Sequence, residues 1–451
     1  MKKPVKREYF GECRDLTYLG LGVLKDGEDT VFVEGMFPGD EGSVGYSYSR
    51  SGQVFGEIVK LTKTSPDRIQ PNCKICHQCG GCEFQQYAYA AELEFKRKLV
   101  KEQFRKIASM DVEVPEVIGM GAPEYYRNKI QMSFALDEKG RTYAGFYKKG
   151  THTIVPVSDC KIESKLAQPI INNVCRLMDE YHIDSYDERS HQGIMRHILI
   201  RTTSDGKKAM VVFVTKGDSF PKSAAFVADL IKKCPFVVTI VQNINPRETN
   251  VILGDKEKTL YGKGYLMDTI CGLKFKVSPK SFFQTNPIIT NKLYSYAVDQ
   301  AELTGNEIIL DAYSGVGTIG LIASKRCKEV ISVELVPEAV RDAKVNAREN
   351  GITNFKVFND DASSFISRMA GAKERIDVLF MDPPRKGSDK RFLDSVLKSK
   401  PKRIVYVSCD PSTLARDVAY ISNSYSIKSI QPFDMFPRST HVETVVLLQI
   451  K

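Results

Sequence analysis

From about residue 284 to its last residue, this chain alternates short runs of β-formers with helical stretches. The runs are Ile308 to Ala312, Val330 to Glu334, Phe355 to Phe358, Asp377 to Met381, Arg403 to Ser408, Ser426 to Ile430 and Glu443 to Leu448. That alternation restricts the fold severely, because parallel strands need crossovers of a dozen or more residues and helices supply them. The expected product is an open, mostly parallel α/β sheet of seven strands, covered on both faces. Only a loop separates the last two runs, so these should pair antiparallel at one edge. Ligands of such sheets bind beyond the carboxyl ends of the strands, and the search for chemistry starts there.

The first strand runs into Asp311-Ala-Tyr313-Ser-Gly315-Val-Gly317-Thr-Ile-Gly320. Gly315 and Gly317 permit a tight turn and close backbone approach to a ligand. Glu334, at the end of the second strand, can accept both hydroxyls of a ribose. The glycine spacing formally fits a dinucleotide fold, a weak signal by itself. Asp311 tips the balance, since a carboxylate facing the loop repels a pyrophosphate but suits a ligand with a cationic amino-acid end. S-adenosylmethionine is such a ligand. Asp361, after the third strand, is placed to meet its adenine amino group.

The fifth strand ends in Ser408-Cys409-Asp410-Pro411. Asp410 suits a helix cap and Pro411 a first helical position. Cys409 should then face a helix N-terminus that lowers its pKa and makes it a nucleophile. The fourth strand ends in Asp382-Pro-Pro-Arg385, where amino-group methyltransferases carry an aromatic. An exocyclic amine is therefore not the expected target. Glu443 brings a carboxylate to the same rim. A thiol and a carboxylate beside a methyl donor suit C5 of a pyrimidine, a poor nucleophile by itself. Addition of Cys409 to C6 makes C5 enolate-like, and Glu443 can remove the C5 proton after methyl transfer.

Upstream, the chain reads differently. With 451 residues, about three domains are expected. Residues 1–62 read as a small OB-type β-barrel, residues 63–265 as a cysteine loop with a central α+β region that binds RNA, and residues 266–451 as the catalytic domain. A helix is expected from about Tyr87 to Ile107, its Lys96, Arg97, Lys98, Lys101, Arg105 and Lys106 forming a solvated face. The net charge of +10 fits a polyanionic partner without requiring one. The first 60 residues hold 8 basic and 10 acidic side chains, so any grip of the barrel on RNA must be local. No run approaches the ~18 apolar residues of a membrane span, and the N-terminal charges precede no apolar stretch, which leads us to expect a cytoplasmic protein.

Eleven cysteines without an export signal point to metal or catalysis rather than disulfides. Four of them fall within ten residues, Cys73-x-x-Cys76-x-x-Cys79-Gly-Gly-Cys82. Paired Cys-x-x-Cys motifs that share one zinc are usually a dozen or more residues apart. An iron–sulfur cubane accepts tighter spacing.

Taken together, residues 282–286, 311–317, 334, 382–385, 405–415 and 437–443 resemble the uracil-5 RNA methyltransferase family, and the likeness extends over essentially the whole chain. The N-terminal unit resembles the TRAM domain of its ribosomal-RNA members. The resemblance implies Cys409 as nucleophile, Glu443 as general base, and Gln284, Tyr313, Glu334 and Asp382 as cofactor-binding residues. It also implies a [4Fe–4S] cluster on Cys73, Cys79, Cys82 and the distant Cys160, with Cys76 outside the family pattern and able to replace Cys73. The expected function is methylation of C5 of an unpaired or flipped uridine in 23S ribosomal RNA, by a monomer that binds neither DNA nor membrane. Ribosomal RNA is favoured over transfer RNA because the cluster and TRAM-like unit mark the ribosomal branch. Cytosine-C5 methylation of RNA and a non-catalytic RNA-binding iron–sulfur module are the competing readings.

Overall fold

The computed structural model describes residues 8–451. The basic residues Lys2, Lys3, Lys6 and Arg7 lie outside that range. At the N-terminal end, Glu8–Glu12 pairs antiparallel with Glu41–Arg50. Asp15–Leu16, just beyond it, pairs with Gly22–Asp26. The same stretch of chain thus hydrogen-bonds at both margins of a six-stranded sheet. Side chains alternate along Glu41–Arg50, and Val44 and Tyr46 join Leu24, Val31 and Val33 inside.

The central region is a mixed sheet of seven strands. Met195–Thr202 and Ala209–Thr215 are buried along their whole length. Alternation explains why: Ile198, Ile200, Val211 and Phe213 face the helices Ala167–Tyr181 and Ser223–Lys233. Leu199, Met210 and Val212 point the other way, into the core of the catalytic region. A strand covered on both faces reads as an unbroken apolar run, which is what these sequences show.

In the C-terminal sheet we label the strands β1 (Ile308–Ala312), β2 (Glu329–Glu334), β3 (Phe355–Asn359), β4 (Val378–Met381), β5 (Arg403–Ser408), β6 (Tyr425–Phe433) and β7 (Glu443–Ile450). Their order is β3-β2-β1-β4-β5-β7-β6, parallel from β3 to β5. The expected antiparallel pair is present, but only β6 is an edge strand. β7 slots between β5 and β6 because Thr444 to Leu448 are buried on both faces. β6, with the polar Lys428 and Pro432, suits an edge.

The helix expected from Tyr87 to Ile107 runs over Tyr89–Gln103 and continues as a π-helical turn, Phe104–Ala108. The expectation that its lysines and arginines form one solvated face fails at Lys96, which is fully buried.

Candidate active site

After β1 the backbone turns through the left-handed region three times, at Tyr313 (φ 63°), Gly315 (φ 55°) and Gly317 (φ 81°), before the helix Thr318–Ala323. A non-glycine residue held there is strained, and such strain collects at ligand sites. Gly320 keeps helix and strand close, since a Cβ on it would lie 2.6 Å from Asp311 Oδ2. Asp311 is buried, and its Oδ2 accepts from Gly320 N at 3.0 Å and Ser332 Oγ at 3.1 Å. Burial pushes its carboxyl up to about 7. Glu334 braces the turn, its Oε2 accepting from Gly315 N at 2.9 Å.

Gln284, Tyr294, Asp311, Tyr313, Gly315 and Asp382 line one cavity, and Phe282, 68% exposed, stands at its rim. Ser314 Oγ, on the same wall, is buried without a partner. An orphaned hydroxyl beside a glycine turn whose Gly315 faces open space fits a polar nucleoside-type ligand. Gly317 and Glu334 stand in the same loop, Glu334 holding Gly315 N. Asp361 is the N-cap of the helix Ala362–Ala372, its carboxylate accepting from Ser364 N at 2.9 Å.

Cys409 sits between β5 and the helix Pro411–Ile421. Asp410 is the N-cap, its carboxylate accepting from Ser412 N at 2.9 Å and Thr413 N at 3.2 Å. The expected low thiol pKa is not found. Burial, then the Glu443 and Asp382 carboxyls, push Cys409 up to about 12, against a smaller opposing pull from Arg385. The Asp410 carboxylate occupies the helix N-terminus, so little of its positive end is left for the thiol. Glu443 opens β7, is 4% exposed, and is pushed up to about 8 by burial and by Asp382.

A cavity of about 390 Å³ opens over Cys409. Thr440 and His441 form part of its wall, and so do Tyr18 and Leu19 from the N-terminal sheet. Gly20 (φ 74°) brings that turn close, as a Cβ there would lie 2.9 Å from Thr440 Cγ2. The participation of the N-terminal unit in this wall was not readable from the sequence.

Neither was the device that holds the segment leading to Glu443. Lys96 Nζ donates to Asp434 Oδ1 at 2.6 Å, to Glu92 Oε1 at 2.7 Å and to Phe436 O at 3.2 Å. Tyr89 OH donates to Asp434 Oδ2 at 2.7 Å, and Arg438 N to Glu92 Oε1 at 2.7 Å. All three charged side chains are fully buried. A signal existed: Glu92, Lys96, Val100 and Phe104 recur every four residues, which places two charges on the apolar stripe.

Cys73, Cys76, Cys79, Cys82 and Cys160 line another cavity, of about 330 Å³. Burial is the leading cause that pushes Cys82 up to about 12 and raises Cys160 further. Among the described residues no group of three or more His, Cys, Asp or Glu converges to hold a metal ion. The four expected ligands share a cavity without sharing a centre.

Fold and site define a class: a multidomain α/β methyltransferase that uses S-adenosylmethionine. The family described as tRNA (uracil-5-)-methyltransferase matches residues 88–451, and the chain belongs to this uracil-5 RNA methyltransferase family. It is a SAM-dependent RNA (uracil-5) methyltransferase. An uncharacterized RNA methyltransferase of Halalkalibacterium halodurans is 40% identical, with 97% of this chain and 96% of the relative covered. Another, of Oceanobacillus iheyensis, is 40% identical over 100% of this chain and 98% of its own. Among solved structures, the Pyrococcus abyssi tRNA (uracil-54, C5)-methyltransferase in complex with S-adenosyl-L-homocysteine is 29% identical, with a TM-score of 0.79, covering 97% of this chain and 99% of that one. A transfer RNA enzyme thus shares the length and architecture of this chain. Among the described residues no helix is long and apolar enough to cross a membrane.

Proposed function

We propose that the chain methylates C5 of a uridine in 23S ribosomal RNA through a covalent adduct on Cys409. The observation that carries the covalent mechanism is the meeting of a half-buried thiol with two carboxyls, Glu443 and Asp382, both near enough to raise the thiol's pKa. S-adenosylmethionine supplies an electrophilic methyl group in the neighbouring cavity. Cys409 gives up its proton to solvent, by way of a neighbouring carboxylate, and its sulfur bonds to C6, moving the C5–C6 π electrons onto C5 and the O4 carbonyl. C5 then takes the methyl group as its bond to the donor sulfur breaks. Glu443 as carboxylate removes the C5 proton, and the returning electrons expel the Cys409 thiolate. Gln284, Tyr313, Glu334 and Asp382 hold the donor, with Gly315 and Gly317 providing the approach. The Tyr18–Leu19 turn belongs to a TRAM-like unit of residues 1–62 that walls the substrate side, and residues 63–265 grip the RNA.

The test is incubation with 5-fluorouridine-substituted RNA and the methyl donor. Fluorine at C5 cannot leave as a proton, so the adduct persists through denaturant. No adduct with intact wild type, or an adduct that survives in Cys409→Ala, removes the mechanism. Glu443→Gln should accumulate adduct on ordinary RNA.

Transfer RNA is the second target reading, favoured by the likeness to the P. abyssi enzyme. Mapping 5-methyluridine in both RNAs from a strain lacking the protein separates the two: the missing methyl group names the substrate.

The donor set of the cysteine cavity fits an iron–sulfur cluster better than a single ion. A tetrahedral zinc with ~2.3 Å bonds needs its sulfurs within about 4 Å of one another, whereas a cubane spreads them. Cys79, Cys82, Cys160 and either Cys73 or Cys76 would hold it, tying the loop to the central sheet. Anaerobic purification should give about four irons per chain; stoichiometric zinc would defeat the assignment.

A further inference from the structure

The central sheet carries a groove outside the site described above. Two adjoining cavities, of about 410 and 350 Å³, share Ser133, Tyr147, His152, Glu188 and His197. Arg196 lines the first, is 4% exposed, and stacks on the Tyr186 ring at 4.7 Å. Its Nη1 donates to Asn245 O at 2.8 Å and Arg247 O at 2.6 Å, but its Nε is buried without a partner. A buried guanidinium N–H left unpaired is costly, and an acceptor on a ligand would relieve it.

The remaining groups narrow the ligand class. Tyr147 OH donates to Glu188 Oε1 at 3.0 Å, and its ring meets His152 edge-on at 6.2 Å. His197 Nδ1 lies 3.0 Å from Ser133 Oγ, and burial together with Arg196 keeps its imidazole neutral, with a pKa near 4. Arg189 and Arg196 are matched by Asp187 and Glu188, so the groove does not concentrate positive charge as a phosphate site does. Aromatic faces, an unpaired donor and a rim carboxylate instead suit a flat heterocycle with ring acceptors and an exocyclic amine. The site is also preformed. Asp187 Oδ1 accepts from Arg189 N, Ser190 N and Ser190 Oγ, and Gly193 (φ 97°) lies so near Ser185 O that a Cβ would sit 2.1 Å from it.

We propose that this groove binds an unpaired, amine-bearing nucleobase of the RNA, a second base site on the central sheet distinct from the uridine cavity at Cys409. The proposal rests on the RNA methyltransferase family membership and not on the Cys409 mechanism. Oligoadenylate holds no uridine, so the two readings fail separately.

Fluorescence anisotropy with labelled 12-nucleotide oligoadenylate and oligouridylate tests it on the full-length protein. Wild type should bind oligoadenylate about tenfold more tightly, on the scale of one stacked base. Tyr147→Ala should erase that preference, Tyr147→Phe should keep most of it, and Glu188→Gln should narrow it while leaving oligouridylate binding unchanged. Far-UV circular dichroism and S-adenosylmethionine binding check that each variant is folded. An 8-azidoadenosine photolabel should mark residues 133–152 or 185–197. Equal affinities of wild type for the two oligomers, a preference in Tyr147→Ala within twofold of wild type, or labelling elsewhere would overturn the proposal.

Discussion

Two of this molecule's thiol neighbourhoods differ in what surrounds the sulfur. Cys73, Cys76, Cys79, Cys82 and Cys160 gather around one cavity, with the Glu163 carboxyl beside Cys79 and Cys160. Cys409 stands alone, at the end of a buried strand, facing two carboxyls and an arginine. Burial raises Cys82, Cys160 and Cys409 in the same direction, so the resting pKa does not tell nucleophile from ligand. The neighbours do. A ring of thiols is a soft donor set even with Glu163 beside it, whereas Cys409 has carboxyls and no second thiol around it.

That contrast breaks first at Cys409. Cys409→Ala should lower methyl transfer by about four orders of magnitude or more, the scale on which loss of a nucleophile acts. Cys82→Ser should leave a folded sheet behind it but empty the cavity of iron, measured by iron content and the visible absorbance. A methyl transfer rate that falls as far in Cys82→Ser as in Cys409→Ala would erase the distinction between the two neighbourhoods.

Lys96→Met probes the support of Glu443. It removes the ammonium that Glu92 and Asp434 share, leaving Glu92 with Arg438 and Asp434 with only the Tyr89 hydroxyl, and a denaturant midpoint should register a loss of about 3–5 kcal/mol. A loss within about 1 kcal/mol would mean that the network does not hold the segment.

The pH dependence is smaller and follows from Glu443. Its carboxyl is raised to about 8, so it is protonated below that pH and becomes a base above it. Methyl transfer at saturating RNA should rise as pH climbs through about 8 and then level. The same shift means that Glu443 favours the folded state at low pH and that this contribution is lost as pH rises from 4.5 through 8. A rate independent of pH between 6 and 9 would exclude Glu443 as the base. The smallest effect should come from Cys76→Ser, which keeps its iron if Cys73 is the ligand; loss of iron would reverse that choice.

Much of the catalytic half was legible from residues alone. The strand–helix alternation gave the parallel sheet, and Asp410 and Pro411 occupy the cap and first helical position that their chemistry requires. The antiparallel pair at one edge was legible too, but not which of its strands ends the sheet, because burial of Thr444 to Leu448 on both faces sets β7 inside β6. Lys96 was misread for a related reason. Surface helices carry many lysines, and only the partner loop, more than three hundred residues away, turns one of them into a buried ion pair.

The sequence by itself determined the class of fold, the glycine turn and the identity of the chemical groups, because period, turn geometry and residue type are local properties. Tertiary structure alone decided that Tyr18 and Cys409 share a cavity, that five thiols face one space without a common centre, and that Cys409 rests protonated. Those outcomes depend on desolvation and on charges brought together from distant parts of the chain, and neither is written in any single stretch of residues.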